Sequence, residues 1–354
     1  MDKFCEGVTG VQLVAFFGAK KEIWITHNCV WDECRESLAR IPQEPPKMKY
    51  GVNTLAWTTR VDERLAPLAG KIKRWGFDGV ELFLSPGEPA NITAVNRMLD
   101  AEGLERTTCS VLPREANLVS RDAQVRARGV EFLKKCVDRT AELGAQLICG
   151  PLYAGLGVMT GARRTPQEWG WAVNGLTKVA RHAQDLRVTL CIEPLNRFET
   201  YFLNTQADAA KLVKDVGASN VRIHFDTFHA NIEEQHPAAS LRTIAKVLGH
   251  VHISENDRGI PGTGHNDWRG ILSTLNQIGY DGWLTIESFA QPEPDLAAAA
   301  AIWRDIAPSG DELAKRGIKF IKRLAQELET ENGREPIVRE RKVVSRRKKS
   351  ASRK

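Results

Sequence analysis

No stretch of this chain approaches the roughly 20 uninterrupted apolar residues that a membrane-spanning helix needs, which excludes a helical membrane bundle. Cysteine is scarce, with seven residues in 354, and the number is odd. Cys149 and Cys191 sit inside apolar runs, a setting for reduced, buried thiols in a cytoplasmic protein and not for the disulfide frame of a secreted one. Cys29 and Cys34 with His27 lack the spacing of a tight zinc knuckle, so no structural zinc is expected there. A secretory signal is not expected either, because Asp2 and Glu6 flank the weakly apolar run 8–19 where such a signal carries net positive charge. Glycine and proline, 28 and 16 residues, are too few for a collagen-like or low-complexity chain. An excess of one charge is missing from most of the chain as well. The net charge of +6 comes from Gly333–Lys354, which holds ten Lys or Arg against two Glu. A basic tail on a nearly neutral body does not pattern one face of a fold, so neither a nucleic acid nor a membrane is an expected partner.

The chain does have what a soluble globular protein needs: 42% hydrophobic and 27% charged residues, and length enough to bury a core without staples. The stiff segment Ile41-Pro-Gln-Glu-Pro-Pro46 separates an N-terminal extension, 1–47, expected to be poorly ordered, from a patterned domain over 48–330. Residues 331–354 are expected to be a basic, disordered tail. Within the domain, short β-rich runs occur at 50–53, 79–83, 106–109, 147–150, 189–193, 221–226, 249–254 and 283–287. Amphipathic helical stretches lie between them at about 62–75, 91–102, 121–143, 166–186, 205–216, 237–247 and 267–278, with a final helical region over 295–328. Gly76, Gly103, Gly144, Gly217 and Gly279 follow helices as C-terminal stops should. Eight strands alternating with eight helical segments is the count for a single (β/α)8 TIM barrel, with a doubly wound sheet as the alternative.

In such a barrel the functional groups sit at the C-terminal ends of the strands. The last four strands each end in a metal-ligand residue type: Glu193, Asp226, His252 and Glu287. Three carboxylates and one imidazole form an oxygen-rich, hard site for Mn²⁺, Mg²⁺ or Co²⁺. His224 and His250 stand two residues before Asp226 and His252, on the same face but deeper, and are expected to support the site without ligating.

Four segments carry a resemblance. Cys191-Ile-Glu-Pro-Leu-Asn-Arg-Phe-Glu199, Phe225-Asp-Thr-Phe-His-Ala-Asn-Ile-Glu-Glu234, His250-Val-His-Ile-Ser-Glu-Asn-Asp-Arg-Gly259 and Thr285-Ile-Glu-Ser-Phe289 resemble the D-tagatose 3-epimerase and D-psicose (allulose) 3-epimerase family of the xylose-isomerase-like superfamily. Gly51–Trp57 and Pro261–His265 fit it too, and the resemblance covers about 48–325. It implies one divalent metal ion, most simply Mn²⁺, on Glu193, Asp226, His252 and Glu287, with Glu193 and Glu287 as the acid/base pair. It implies substrate contacts at Glu199, His229 and Arg258, with Trp57 as a wall for the far end of the sugar. The segment Leu152–Met159 departs from the Trp-containing segments of the family and does not specify the sugar. The implied activity is a metal-dependent ketose 3-epimerase working through a cis-enediolate with one base on each face, in a homodimer or homotetramer. The same site could serve a 3-keto-glycoside lyase or C-glycoside-cleaving enzyme, an aldose–ketose isomerase or an inosose dehydratase. A nucleic-acid endonuclease of the superfamily would need histidines from strands two and three, and those strands end in Glu81-Leu-Phe83 and Thr108-Cys-Ser110.

Overall fold

The computed structural model describes residues 47–85 and 91–333. The expectations for the N-terminal extension, apart from Lys47, and for the basic segment beyond Gly333 lie outside the described residues. Eight parallel strands run in sequence order: β1 (Lys49–Asn53), β2 (Gly79–Phe83), β3 (Glu105–Cys109), β4 (Leu147–Gly150), β5 (Thr189–Ile192), β6 (Val221–Asp226), β7 (Leu248–Ile253) and β8 (Trp283–Ile286). They close into a barrel in which β1 also pairs with β8. This is the single (β/α)8 barrel that the alternation of strands and helices predicts, and each strand lies within one residue of its expected bounds. Parallel neighbours need crossovers, and here helices supply them. They are α1 (Ala66–Trp75), α2 (Ile92–Ala101), α3 (Ala123–Glu142), α4 (Pro166–Asp185) and α5 (Gln206–Val216), followed by α6 (Thr227–Glu233), α7 (Pro237–Ile244), α8 (Trp268–Gln277), α9 (Pro294–Ala300) and α10 (Gly310–Gly333).

Local chemistry sets the helix ends. Thr165 and Glu168 form a reciprocal capping box before α4, and Pro166 occupies its first position. Gly76 and Gly217 end α1 and α5 in the left-handed conformation. Two features differ from the expectation. The short helix α6 arises because the Asp226 carboxylate, at the end of β6, accepts from the Phe228 and His229 N–H groups and caps a new turn. The region expected as one helix over 295–328 is two, because Ala301 turns left-handed at φ 53° and Ser309 caps a fresh start. The alanine-rich run 297–301 hides that break. The apolar core lies between the strands and the helices, where side chains such as Val52, Leu82, Ile148, Leu190, Phe225 and Val251 are fully buried. Cys109, Cys136, Cys149 and Cys191 are buried and free. Among the described residues no helix is long and apolar enough to cross a membrane.

One irregularity decides which side chains of β7 turn inward. Ile223 pairs with Leu248, but His224 pairs with His250, so Gly249 is an extra residue in β7. The position is cramped: a Cβ at Gly249 would come within 2.7 Å of both the Arg222 Cβ and the Cys191 Sγ. Gly249→Ala should therefore overpack the bulge and cost about 1–3 kcal/mol of stability. Urea unfolding of the two proteins checks this, and coincident midpoints would contradict the crowding.

Candidate active site

Glu193 and Glu287 each stand one residue past the end of β5 and β8, while Asp226 closes β6 and His252 lies one residue from the end of β7. All four face the mouth of the barrel; Glu193, Asp226 and His252 are buried and Glu287 is half-buried. One donor atom each from Glu193, His224, Asp226 and His252 fall within 4.8 Å of one another. The fourth residue of the sequence expectation, Glu287, is adjacent: its Oε2 lies 3.5 Å from His252 Nδ1, and Asp226 Oδ2 lies at the same distance. His252 Nδ1 is buried and makes no hydrogen bond. A dry imidazole nitrogen without a partner, facing carboxylate oxygens, is a donor set that fits a hard divalent cation.

The electrostatics point the same way. Burial, with Glu287 and Asp226 close by, pushes the Glu193 carboxyl well above the usual carboxylate range. Burial would raise Glu287 too, but His252 and Arg258 outweigh it and hold the group down. At Asp226 burial is again overcome, by His252, His229 and Arg258, and the carboxyl stays far below its ordinary value. Burial would strip the proton from His252, yet Glu81 and Glu287 keep it well above the usual imidazole range.

Arg258 is the local cation. Its guanidinium donates to Glu287 Oε2 at 2.9 Å, lies 3.6 Å from Glu199 Oε1, and stacks over the Phe228 ring with 4.1 Å from Cζ to the centroid. Its backbone is left-handed at φ 60°, strain that the surrounding loop must impose. The buried Glu255 carboxylate imposes it by accepting from four donors: the N–H groups of Asn256, Gly262 and Asn266 and the Trp268 indole. His229 starts α6 beside this cluster. The Asn196 N–H donates to its Nδ1 at 3.0 Å, and its Nε2 stands 3.2 Å from Arg258 Nη2 and 3.6 Å from Glu193 Oε1.

These side chains line one cavity. Glu193, Glu199, His229, His252, Arg258 and Glu287 form its polar end, and Leu55, Phe83, Val111, Leu156, Phe289 and Leu296 form an apolar end. Six of the eight expected site residues thus line the cavity, and a seventh, Asp226, is buried beside His252. The eighth does not: Trp57 is absent from the cavity wall. Its indole N–H donates to Asp311 Oδ1 at 3.0 Å and its ring stacks on Trp75, because the turn Thr54–Ala56 carries it past the mouth and Leu55 faces the cavity instead. His224 and His250 are fully buried beneath the mouth, and His224 comes close enough to count among the clustered donors. Glu81 and Glu255 are outside the sequence expectation. A carboxylate between Val80 and Leu82 in a short strand is the signal for Glu81, since the register puts it beside Asn53 on the inner face.

Replacing Arg258 by Met should leave Glu287 without its guanidinium partner. Burial would then push the folded-state Glu287 carboxyl up past its unfolded value, so stability is lost as pH increases through that range. The metal-free Arg258→Met protein should be destabilised by about 3 kcal/mol at pH 8 and by clearly less at pH 5. Urea titrations at the two pH values measure the difference.

Residues 69–324 match the family described as Xylose isomerase-like TIM barrel. The chain is similar to the L-ribulose 3-epimerase of Mesorhizobium japonicum, 34% identical over 277 residues that cover 77% of this chain and 93% of that protein. It is similar to the D-psicose 3-epimerase of Agrobacterium fabrum, 32% identical over 272 residues that cover 76% and 94%. It also matches the crystal structure of the D-allulose 3-epimerase from Methylomonas sp. in complex with D-allulose, with a TM-score of 0.74, 30% identity and coverage of 79% and 98%. The chain belongs to the xylose isomerase-like TIM barrel family, in its D-tagatose/D-psicose 3-epimerase-like group.

Proposed function

We propose that this protein is a metal-dependent ketose 3-epimerase, acting on a small sugar in the cavity at the mouth of the barrel. The observation that carries this reading is the presence of two carboxyl groups, the buried Glu193 and the half-buried Glu287, past different strands at the polar end of one cavity, with a guanidinium and an imidazole beside them. Inverting a carbon next to a carbonyl removes a proton on one face and returns one on the other, which takes two bases. The folded protein pushes the Glu193 carboxyl up and the Glu287 carboxyl down, the separation that an acid and a base need.

Glu193, Asp226, His252 and Glu287 would hold one divalent cation, Mn²⁺ suiting this donor set best and Mg²⁺ or Co²⁺ also fitting it. Such a cation, when bound, stabilises negative charge developing on the substrate oxygens. Arg258 donates towards the sugar oxygens near carbon 1 and carbon 2, with His229 beside it, and Glu199 accepts from a hydroxyl. The buried apolar walls exclude water, which strengthens every one of these interactions.

Incubated with ketohexoses or ketopentoses in heavy water with Mn²⁺, the protein should exchange the proton at carbon 3 and yield the 3-epimer. Chelation should abolish this, and Mn²⁺ or Co²⁺ should restore it; full activity after rigorous metal removal would falsify the reading. Glu193→Gln and Glu287→Gln, verified as metal-loaded, should each lose epimerisation by several orders of magnitude. A single mutant can still wash deuterium without inversion into the substrate whose proton faces the remaining carboxylate. Near wild-type epimerisation by either mutant removes that residue from the pair.

We further propose that residues 1–47 and 333–354 lie outside the catalytic unit, in line with the family match over 69–324. A chain cut to 48–332 should keep its rate per folded molecule. A large loss in a folded, metal-loaded truncation would assign a tail to the site.

A further inference from the structure

A buried carboxylate that the proposed chemistry does not use lies on the far side of the barrel from the metal-binding strands. Glu81 is on β2 and fully buried, yet its Oε1 meets His252 Nε2 at 2.6 Å, 171 residues away in sequence. Three further donors surround it. Asn53 Nδ2 reaches Oε1 at 2.9 Å, Thr107 Oγ1 reaches Oε2 at 2.9 Å, and the Cys149 thiol reaches Oε2 at 3.3 Å. His250 Nε2 also stands 2.9 Å from Oε2. The orientation of Asn53 is not free: its Oδ1 accepts from the Leu55 N–H at 2.9 Å, so its amide nitrogen must point at Glu81. Both Glu81 oxygens therefore act as acceptors, as an ionised carboxylate does. Burying an ionised carboxylate is expensive unless every lone pair is used, and here donors converge on both oxygens.

The consequence falls on His252. A neutral imidazole has one N–H and one lone pair, and which nitrogen carries which depends on the partner of the other. An acceptor-only carboxylate at Nε2 requires the proton there, so the proton that an incoming cation displaces from the ring is the one on Nδ1, and the lone pair is freed at that atom. Nδ1 is the nitrogen without a hydrogen bond that stands 3.5 Å from Asp226 Oδ2 and from Glu287 Oε2. Without Glu81 the opposite tautomer becomes available, with Nδ1–H donating to one of those carboxylates and the ligand position blocked. We propose that Glu81 is a positioning residue of the metal site, whose carboxylate fixes the His252 ring and its Nε2–H tautomer so that Nδ1 presents a lone pair to the cation held with Glu193, Asp226 and Glu287. This rests on the metal-dependent reading above.

The test uses the full chain, stripped of metal and titrated with MnCl₂ by calorimetry. Glu81→Gln keeps the size of the side chain but removes its charge and its acceptor-only character. It should weaken Mn²⁺ binding about 10–100-fold, and its activity should recover as Mn²⁺ is raised, which a merely misfolded site would not do. Glu81→Asp keeps the charge but withdraws it by one methylene and should fall between the two. Thr107→Val removes a donor from the same carboxylate without touching His252 and should bind Mn²⁺ within about threefold of wild type, as its separation from the metal ligands predicts. A folded Glu81→Gln that binds Mn²⁺ as tightly as wild type overturns the proposal and leaves the metal-dependent reading intact. A wild-type chain that binds no Mn²⁺ overturns both. Should Glu81→Gln fail to fold, wild type labelled with ¹⁵N-histidine and loaded with ¹¹³Cd²⁺ decides: cadmium coupling at Nδ1 with the proton on Nε2 supports the assignment, and coupling at Nε2 refutes it.

Discussion

The extra residue at Gly249 sets which residues of β7 face the interior, and the mouth of the barrel is built on that choice. In a strand the side chains alternate between faces, so a one-residue slip turns every one of them over. Had the pairing of Ile223 with Leu248 continued without the bulge, Asp226 would lie opposite Val251, and both histidines would point at the surrounding helices. With it, Asp226 stands opposite His252 and His224 opposite His250. Neighbouring β8 then brings Thr285 beside His252 and Ile286 beside Ile253, which leaves Glu287 as the first residue past the paired layer. The bulge is tolerated only because residue 249 has no side chain to place between Arg222 and Cys191.

What this register assembles is electrostatically costly. Glu81, Glu193 and Asp226 are buried and Glu287 is half-buried, with Arg258 and His252 as the principal cationic groups among them. Buried charge seldom adds to stability, since desolvation consumes most of the attraction. The stability of the barrel comes instead from the apolar layer between strands and helices, and that layer holds the mouth in an arrangement it would not choose alone. The left-handed Arg258 is the local sign of this. Four hydrogen-bond donors to Glu255 fix the loop on either side of it, so the guanidinium is held against Glu287 before any substrate arrives.

The strands are legible in the sequence because each is a short β-rich run bounded by polar or turn residues, and eight of them alternate with helical periodicity. Four site residues are legible because they end four consecutive strands, where a barrel presents its chemistry. Glu199, His229 and Arg258 rest on motif resemblance, and each does stand at the polar end of the cavity. Trp57 departs from its expected place for a physical reason. It lies beyond β1 on a tight turn whose direction is fixed by the Asn53 cap, and nothing in the local sequence tells which of Leu55 and Trp57 turns inward. Glu81 is hidden because its role depends on a partner across the barrel, a contact that neither periodicity nor motif spacing encodes.

The division of the cavity follows the order of the chain. Every polar group at the reacting end comes from β5 to β8 or the loops after them, between Glu193 and Glu287. Most of the apolar end comes from the turns and strand ends of β1 to β4, through Leu55, Phe83, Val111 and Leu156, with Phe289 and Leu296 closing it from beyond β8. Acid–base groups and the fit of the far end of a ligand are therefore separately encoded, and substitutions in the first half can reshape the apolar wall without displacing a proton donor or acceptor. The separation is incomplete at one place. Glu81 belongs to the first half, but its carboxylate reaches through the barrel axis to His252, together with the Asn53 and Thr107 side chains that hold it. The layer beneath the mouth thus ties the two halves together, and changes on β1 to β3 are tolerated by the reacting groups only as long as that one carboxylate keeps its place against His252.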